Sequence, residues 1–174
     1  MVIRTTEEVE YIRKSILTNA NITCEHLKSR CNKLSSIAFL AEIKFDKIGV
    51  DPITGTALNF VEQLNQMFSD LVALEGAARL LCKYPGKELK LNLGSIAGFD
   101  IESTDGEVVA ECFAVTTATS NRKLEKDCSK LMDKAPGKQK YIFFYSRSDT
   151  EGKLHRIYGK YPEIIFEKFT EFTY

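Results

Sequence analysis

The segment Gly98-Phe-Asp100-Ile-Glu102-Ser-Thr-Asp105-Gly106-Glu-Val-Val-Ala-Glu111-Cys-Phe113 constrains this chain more than any other. Asp-Gly between two strand-like runs signals a hairpin, because a two-residue type I′ turn needs positive φ at both central positions. With Asp105-Gly106 as the turn, Thr104 faces Glu107, and paired residue numbers sum to 211. Asp100 then lies opposite Glu111, and Glu102 opposite Val109. Directly opposed residues have Cβ atoms roughly 4.5–5.5 Å apart, and like charges there repel. Val108, Val109, Ala110, Phe113 and Ala114 surround Glu111 with apolar chain. A carboxylate in such a run is costly unless it is paired or metal-bound. The other use of such residues is a solvated strand face, and a one-residue change of turn would reverse every side chain.

Two opposed carboxylates ask for a cation. A hard divalent ion, Mg²⁺ or Mn²⁺, suits carboxylate oxygens and retains several waters. An ion held that way acidifies water enough for attack on a phosphodiester. Zinc is a poorer fit. None of the five cysteines forms a C-x-x-C pair, and Cys24, His26 and Cys31 match no common zinc spacing.

Around the hairpin, periodicity predicts helices over 6–19 and 24–45, separated at Asn19-Ala-Asn21, with Thr23 as the second N-cap. Leu27, Cys31, Leu34, Ile37/Ala38 and Ala41 recur at helical spacing in the second. This pair suits an accessory layer or a dimerisation arm. Gly49-Val-Asp51-Pro52-Ile-Thr-Gly55 reads as a loop. A long helix is expected over 56–82, capped by Thr56, with Val61, Leu64, Phe68, Leu71/Val72 and Ala78 on its apolar face. Gly76 weakens it by up to ~1 kcal/mol relative to alanine, which a close helix–sheet contact would explain. Strands follow at 88–93, 97–104 and 107–116, then a helix at 120–134 and a strand at 139–146. Tyr141-Ile-Phe-Phe-Tyr145 is apolar on both faces, as in a fully covered strand. The tail suggests a short strand at 154–158 and an aromatic helix at 161–172. Phe166, Phe169, Phe172 and Tyr174 there suit core packing or a partner surface.

The chain has 174 residues, enough for one sizeable core. The expected division is a helical extension over 1–55 and a core over 56–174, forming one compact domain. Lysine plus arginine equal aspartate plus glutamate at 24 each, so net charge makes no case for non-specific nucleic-acid binding. Distribution still permits a local basic face. No apolar run approaches the roughly 20 residues of a membrane span. The first residues are too acidic and polar for a signal peptide, and an odd cysteine count then points to free thiols. A cytoplasmic location is the expectation.

The order helix, three strands, helix, strand over residues 56–146, with Asp100 on the second strand and Glu111 on the third, resembles the PD-(D/E)XK superfamily. Its members include type II restriction enzymes and Holliday-junction resolvases. The resemblance implies an α/β fold with a mixed sheet, a restriction-endonuclease-like αβββαβ core carrying the N-terminal helical extension. It implies metal binding by Asp100 and Glu111, assisted by Glu62 in Phe60-Val-Glu62-Gln63-Leu-Asn65-Gln66. Two positions depart from the pattern. Gly98-Phe99-Asp100 stands for Pro-Asp, and Phe113 stands where the family carries lysine. Some members supply that lysine from the following helix. Lys123, in Ser120-Asn121-Arg122-Lys123-Leu124, is the matching candidate beside a buried stripe of Leu124, Cys128 and Leu131. The amides there, with Ser120 and Asn121, suit a phosphate. The bland alternative makes Arg122, Lys123, Lys126 and Lys130 a solvated face.

The expected function is thus a Mg²⁺-dependent endonuclease or nuclease-like protein acting on DNA, with Asp100, Glu111, Lys123 and Glu62 as its working residues. The alternative is a catalytically inactive nuclease-fold module binding nucleic acid or protein. A homodimer through the helical arm fits either.

Overall fold

The structure, a computed structural model, describes residues 1–94 and 96–171, all but the side chain of Ser120 among them. The elements run β1 (Val2–Ile3), α1 (Thr6–Cys31), α2 (Ser36–Phe45), β2 (Gly49–Val50), β3 (Ala57–Leu58), α3 (Phe60–Lys83), β4 (Leu89–Leu91) and β5 (Ile101–Ser103). They continue with β6 (Val108–Val115), α4 (Lys123–Lys134), β7 (Gln139–Ser146), α5 (Glu151–Lys160) and β8 (Ile164–Phe169). The protein is therefore mixed α/β. One sheet has the order β1-β4-β5-β6-β7-β8, and β2 pairs with β3 separately. Pairing is antiparallel from β1 to β6 and parallel from β6 to β8. The parallel strands are joined through α4 and α5, as parallel neighbours need crossovers. No helix among the described residues is long and apolar enough to cross a membrane.

Alternation along the central strands divides the core in two. Ala110, Cys112, Tyr141 and Phe143 face a layer built by α1 and α3. Val109, Phe113, Ile142 and Phe144 face a second layer built by α4 and α5. Tyr141 through Phe144 are fully buried, as a strand covered on both sides requires.

Helix α3 lies close on the sheet because of Gly76. A Cβ there would stand 2.6 Å from the Phe143 ring, closer than packed atoms approach. Phe143 is itself stacked between Tyr141 and Phe169, with centroids at 5.6 and 6.0 Å, so its ring has little room to yield. The close helix–sheet contact expected at Gly76 is present.

The N-terminal helices differ from expectation. α1 is continuous through Asn19-Ala20-Asn21, and the chain breaks only after Cys31. The polar residues that read as a break have tertiary partners instead. Asn19 Nδ2 donates to the Asp51 and Pro52 carbonyls. Thr23 caps nothing; its hydroxyl donates to the Asn19 carbonyl and, at 2.8 Å, to Gln63 Oε1. Gln63 also accepts from the Val50 amide at 2.9 Å, which ties β2 to α3. A Cβ at Gly49 would meet that same oxygen at 2.5 Å. The N-cap of α1 is Thr5, whose capping box with Glu8 satisfies two end amides.

Two boundaries shift and one pair of elements exchanges type. α3 starts at Phe60 with Asn59 as its cap rather than Thr56, because residues 49–58 form the β2–β3 hairpin. Val61 consequently lies in the exposed first turn rather than the core. In the tail, residues 151–160 are helical and 164–169 form a strand, the reverse of the expected order. Leu154 and Ile157, at i and i+3, bury against the sheet, while the 164–169 run pairs in parallel with β7. Phe172 and Tyr174, and the expected helix end at 172, lie outside the described residues.

The Gly76 contact gives a direct test. Alanine would gain in helix propensity by up to ~1 kcal/mol. Overlap with Phe143 should outweigh that gain and destabilise the protein by about 1–3 kcal/mol. Chemical denaturation of Gly76→Ala should show a lower midpoint, and adding Phe143→Leu should recover part of the loss.

Candidate active site

The hairpin that carries the carboxylates has the expected register and a different turn. Ile101 pairs with Ala110 and Glu102 with Val109, so paired numbers sum to 211. Continuing that register by one residue sets Asp100 opposite Glu111. The turn, however, is a four-residue loop rather than a two-residue type I′ turn. Only Gly106 has positive φ, and its amide donates to the Ser103 carbonyl at 2.8 Å. Asp105 is held in place by the Ser103 hydroxyl, the Glu107 amide and Lys87. Lys87 first, then Ser103, hold its carboxyl well below the usual range. Both loops are centred on the Asp105–Gly106 bond, which is why the register is the same.

Glu111 and Asp100 point toward α4, on the face that also carries Val109 and Phe113. The Glu111 side chain is 4% exposed, and Lys130 Nζ stands 2.6 Å from its Oε1. Lys130 also donates to the Gly98 carbonyl at 2.7 Å and lies over the Phe99 ring. Asp100 Oδ2 accepts from the Cys112 amide at 2.6 Å. Beside them on α4, Asp127 Oδ1 accepts from Lys123 Nζ at 2.9 Å, and its buried Oδ2 has no hydrogen-bond partner among the described residues. Three acids thus share one buried region with two lysines.

Burial governs the ionisation of these groups. It pushes Glu111 up to about 7, helped by the Asp100 charge and opposed by Lys130. It also raises Asp100, against the Cys112 amide, Lys130 and Lys123. Asp127 is raised by burial in the same way, against Lys123. The neighbouring Cys112 thiol is pushed far up and stays protonated.

On α3, Asp70 is a further buried acid. Its Oδ1 accepts from the Gly94 amide at 2.9 Å, while Oδ2 has no hydrogen-bond partner among the described residues. Burial raises it to about 7, with the charges of Asp51 and Asp100 adding to the shift.

Three of the four residues expected from the sequence meet in one place. Asp100, Glu111 and Lys123 line a cleft of about 570 Å³, together with Lys130 and Phe113. Glu62 does not join them: it lies exposed in the first turn of α3, outside that cleft. The buried acid on this helix is Asp70, two turns further along the Glu62–Gln66 face. Lys123 borders the cleft, but its ammonium pairs with Asp127 and sits 5.3 Å from the Phe113 ring centroid. The lysine that reaches Glu111 is Lys130, at i+7 from Lys123 on the same side of α4. Its signal in the sequence was its place beside the apolar Leu124, Cys128 and Leu131, which are all buried. Phe113 is core, stacked on Phe144 at 5.4 Å. Asn121 and Arg122 precede α4 with φ of 52° and 55°; the Ser120 side chain lies outside the described residues.

The donor set suits a hard divalent ion held by two carboxylates and water, the coordination Mg²⁺ commonly adopts. Among the described residues, no group of three or more His, Cys, Asp or Glu side chains is placed to hold a metal ion.

The raised acids have a consequence for stability. Asp70 is protonated more readily in the folded protein than in the unfolded chain. Its contribution is therefore fully present below the unfolded pKa near 4 and lost as pH rises through about 7. Asp70→Asn keeps the acceptor for Gly94 and removes the charge. It should stabilise the protein by about 1–3 kcal/mol at pH 8, with the gain fading toward pH 5. Thermal denaturation across that range checks both the sign and the slope.

Compared with models of protein families, with curated proteins and with solved structures, the chain matches none.

Proposed function

We propose that this protein is a metal-dependent nuclease acting on DNA phosphodiesters, with a PD-(D/E)XK-like core formed by α3, β4, β5, β6, α4 and β7. The observation that carries the reading is the Asp100–Glu111 pair, set opposite each other by extending the β5–β6 register one residue, with Lys130 2.6 Å from Glu111. Three acidic groups converge where two lysines leave negative charge uncompensated.

Asp100 and Glu111 would hold Mg²⁺ or Mn²⁺, which when bound acidifies water and neutralises phosphate charge. The chain's own groups do the rest. The Cys112 amide fixes Asp100 through Oδ2, which leaves Oδ1 for the ion. Lys130 orients Glu111 and places an ammonium beside the position of developing negative charge, the role vacated at Phe113. The Gly98 carbonyl and Phe99 ring hold that ammonium in place. Lys123, paired with Asp127, borders the same cleft and adds positive charge toward a phosphate.

A second reading has an observation of its own. Lys130 already compensates Glu111, and the Cys112 amide already binds Asp100. The site is therefore tolerable without metal, as in a nuclease-fold module that binds nucleic acid or protein and cleaves nothing.

Incubation with supercoiled DNA and Mg²⁺ or Mn²⁺ separates the two. Under the nuclease reading, Asp100→Ala and Glu111→Ala abolish cleavage, and Lys130→Met lowers the rate by about 10²-fold or more. Cleavage that persists in both alanine variants overturns the site, and unchanged thermal stability with added Mn²⁺ favours the non-catalytic module.

A further inference from the structure

Next to the carboxylate cleft lies a larger one, of about 760 Å³, and Lys123 borders both. It opens at the carboxyl ends of β6 and β7, between α3 and α4, where open α/β sheets commonly bind ligands. Its charge is one-sided. Lys123, Lys126 and Arg147 line it, and among the described residues no acid does. Lys123 is paired with Asp127, whereas the exposed side chains of Lys126 and Arg147 make no ion pair or hydrogen bond among the described residues. The backbone sets both in place. Lys126 stands on α4 three residues after Lys123, so the two share a helix face. The Arg147 amide donates to the Thr116 carbonyl at 3.1 Å, which fixes the chain just past β7. Phe68 and Tyr145 complete the wall and pack against the core.

Like charges repel, so lysine and arginine gathered in a cleft without an acid attract an anion, and the cleft walls focus that field. The cations come from two elements, α4 and the end of β7, which suits an extended polyanion better than one small ion. Arginine grips phosphate with its planar fork, and lysine meets it as a point charge. Lys123 makes the cleft continuous with the carboxylates. A strand lying across Asp100 and Glu111 therefore brings its neighbouring phosphates to the cations. From this we infer that the cleft binds backbone phosphates of a nucleic-acid strand, next to the phosphate at the carboxylates, on Lys126 and Arg147. These contacts fall on phosphate rather than on base, so they position the strand without selecting its sequence. The choice of nucleic acid rests on the nuclease reading; the cleft and its charge do not.

The test is fluorescence anisotropy with a labelled DNA duplex of about twenty base pairs, which offers phosphates well beyond one site. EDTA keeps cleavage out of the measurement. The protein should bind, and Lys126→Gln with Arg147→Gln should weaken binding about tenfold or more at physiological salt. The slope of log affinity against log salt should become shallower by about 1.8, because two phosphates are no longer neutralised. Lys14→Gln with Lys33→Gln removes the same charge on and just after α1, at residues that line neither cleft. That control should change affinity by less than about twofold, since screening limits the reach of distant charges. Circular dichroism and melting should match wild type for both double variants, whose side chains are all exposed. Thymidine 5′-monophosphate, a phosphate without a strand, should compete only in large excess over the duplex. Binding that is absent, or indifferent to the loss of Lys126 and Arg147, overturns the proposal, as does equal weakening in the two double variants. Competition by the mononucleotide at the concentration of the duplex overturns the assignment to a strand in favour of a free nucleotide. The two readings fail separately. Loss of cleavage in Asp100→Ala with charge-indifferent binding removes the cleft and leaves the nuclease. Charge-dependent binding with no cleavage in any metal leaves the cleft and removes the nuclease.

Discussion

Glu111 stands on a central strand with almost no solvent, directly across from where the backbone register sets a second carboxylate. A buried charge in that position needs partners, and the surrounding elements are arranged to provide them. Helix α4 turns a face of Lys123, Asp127 and Lys130 toward the hairpin. Lys130 reaches Glu111, and Lys123 is drawn to Asp127. The backbone contributes through the Cys112 amide and the Gly98 carbonyl, which fix Asp100 and Lys130. Charge is left incompletely balanced, and burial raises the ionisation of both acids above its ordinary range.

The layers explain why these groups come together. The sheet separates α3 from α4, so an acid on α3 and a lysine on α4 approach each other only around its margin. Gly94 and loop residues 96–100 lie at that margin. The Gly94 amide binds Asp70 from the α3 side, while the Gly98 carbonyl binds Lys130 from the α4 side. The helix carrying Asp70 is set by the Gly76–Phe143 contact, which lets its backbone lie against the central strand. The strand carrying Glu111 is set by parallel pairing with β7 over its whole length. A rigid strand and a closely seated helix thus position the acids, and a loop joins their environments.

Two clefts meet at Lys123 and differ in charge. One concentrates carboxylates, which suit a divalent cation. The other excludes them and presents lysine, arginine and aromatic rings. Zero net charge on the chain conceals this segregation, because attraction for an anion depends on where charges lie.

Much of this was legible along the chain. The 2.0 and 3.6 periodicities marked the helix, three strands, helix and strand of residues 60–146. The symmetry of the Asp105–Gly106 loop fixed the hairpin register even though the turn type differed. Local pattern failed where distant partners decided the outcome. Asn19 and Thr23 look like a helix break until Asp51 and Gln63 take up their hydrogen bonds. The 164–169 run satisfies helical spacing and strand composition equally, and only the free edge of β7 made it a strand. Within the site, sequence by itself determined that Asp100 and Glu111 oppose each other, because register is a local consequence of the loop. The tertiary structure alone decided that Lys130 rather than Lys123 reaches Glu111, and that Asp70 rather than Glu62 is the buried acid of α3. Those choices depend on how each helix is seated on the sheet, and seating is set by packing between elements far apart in the chain.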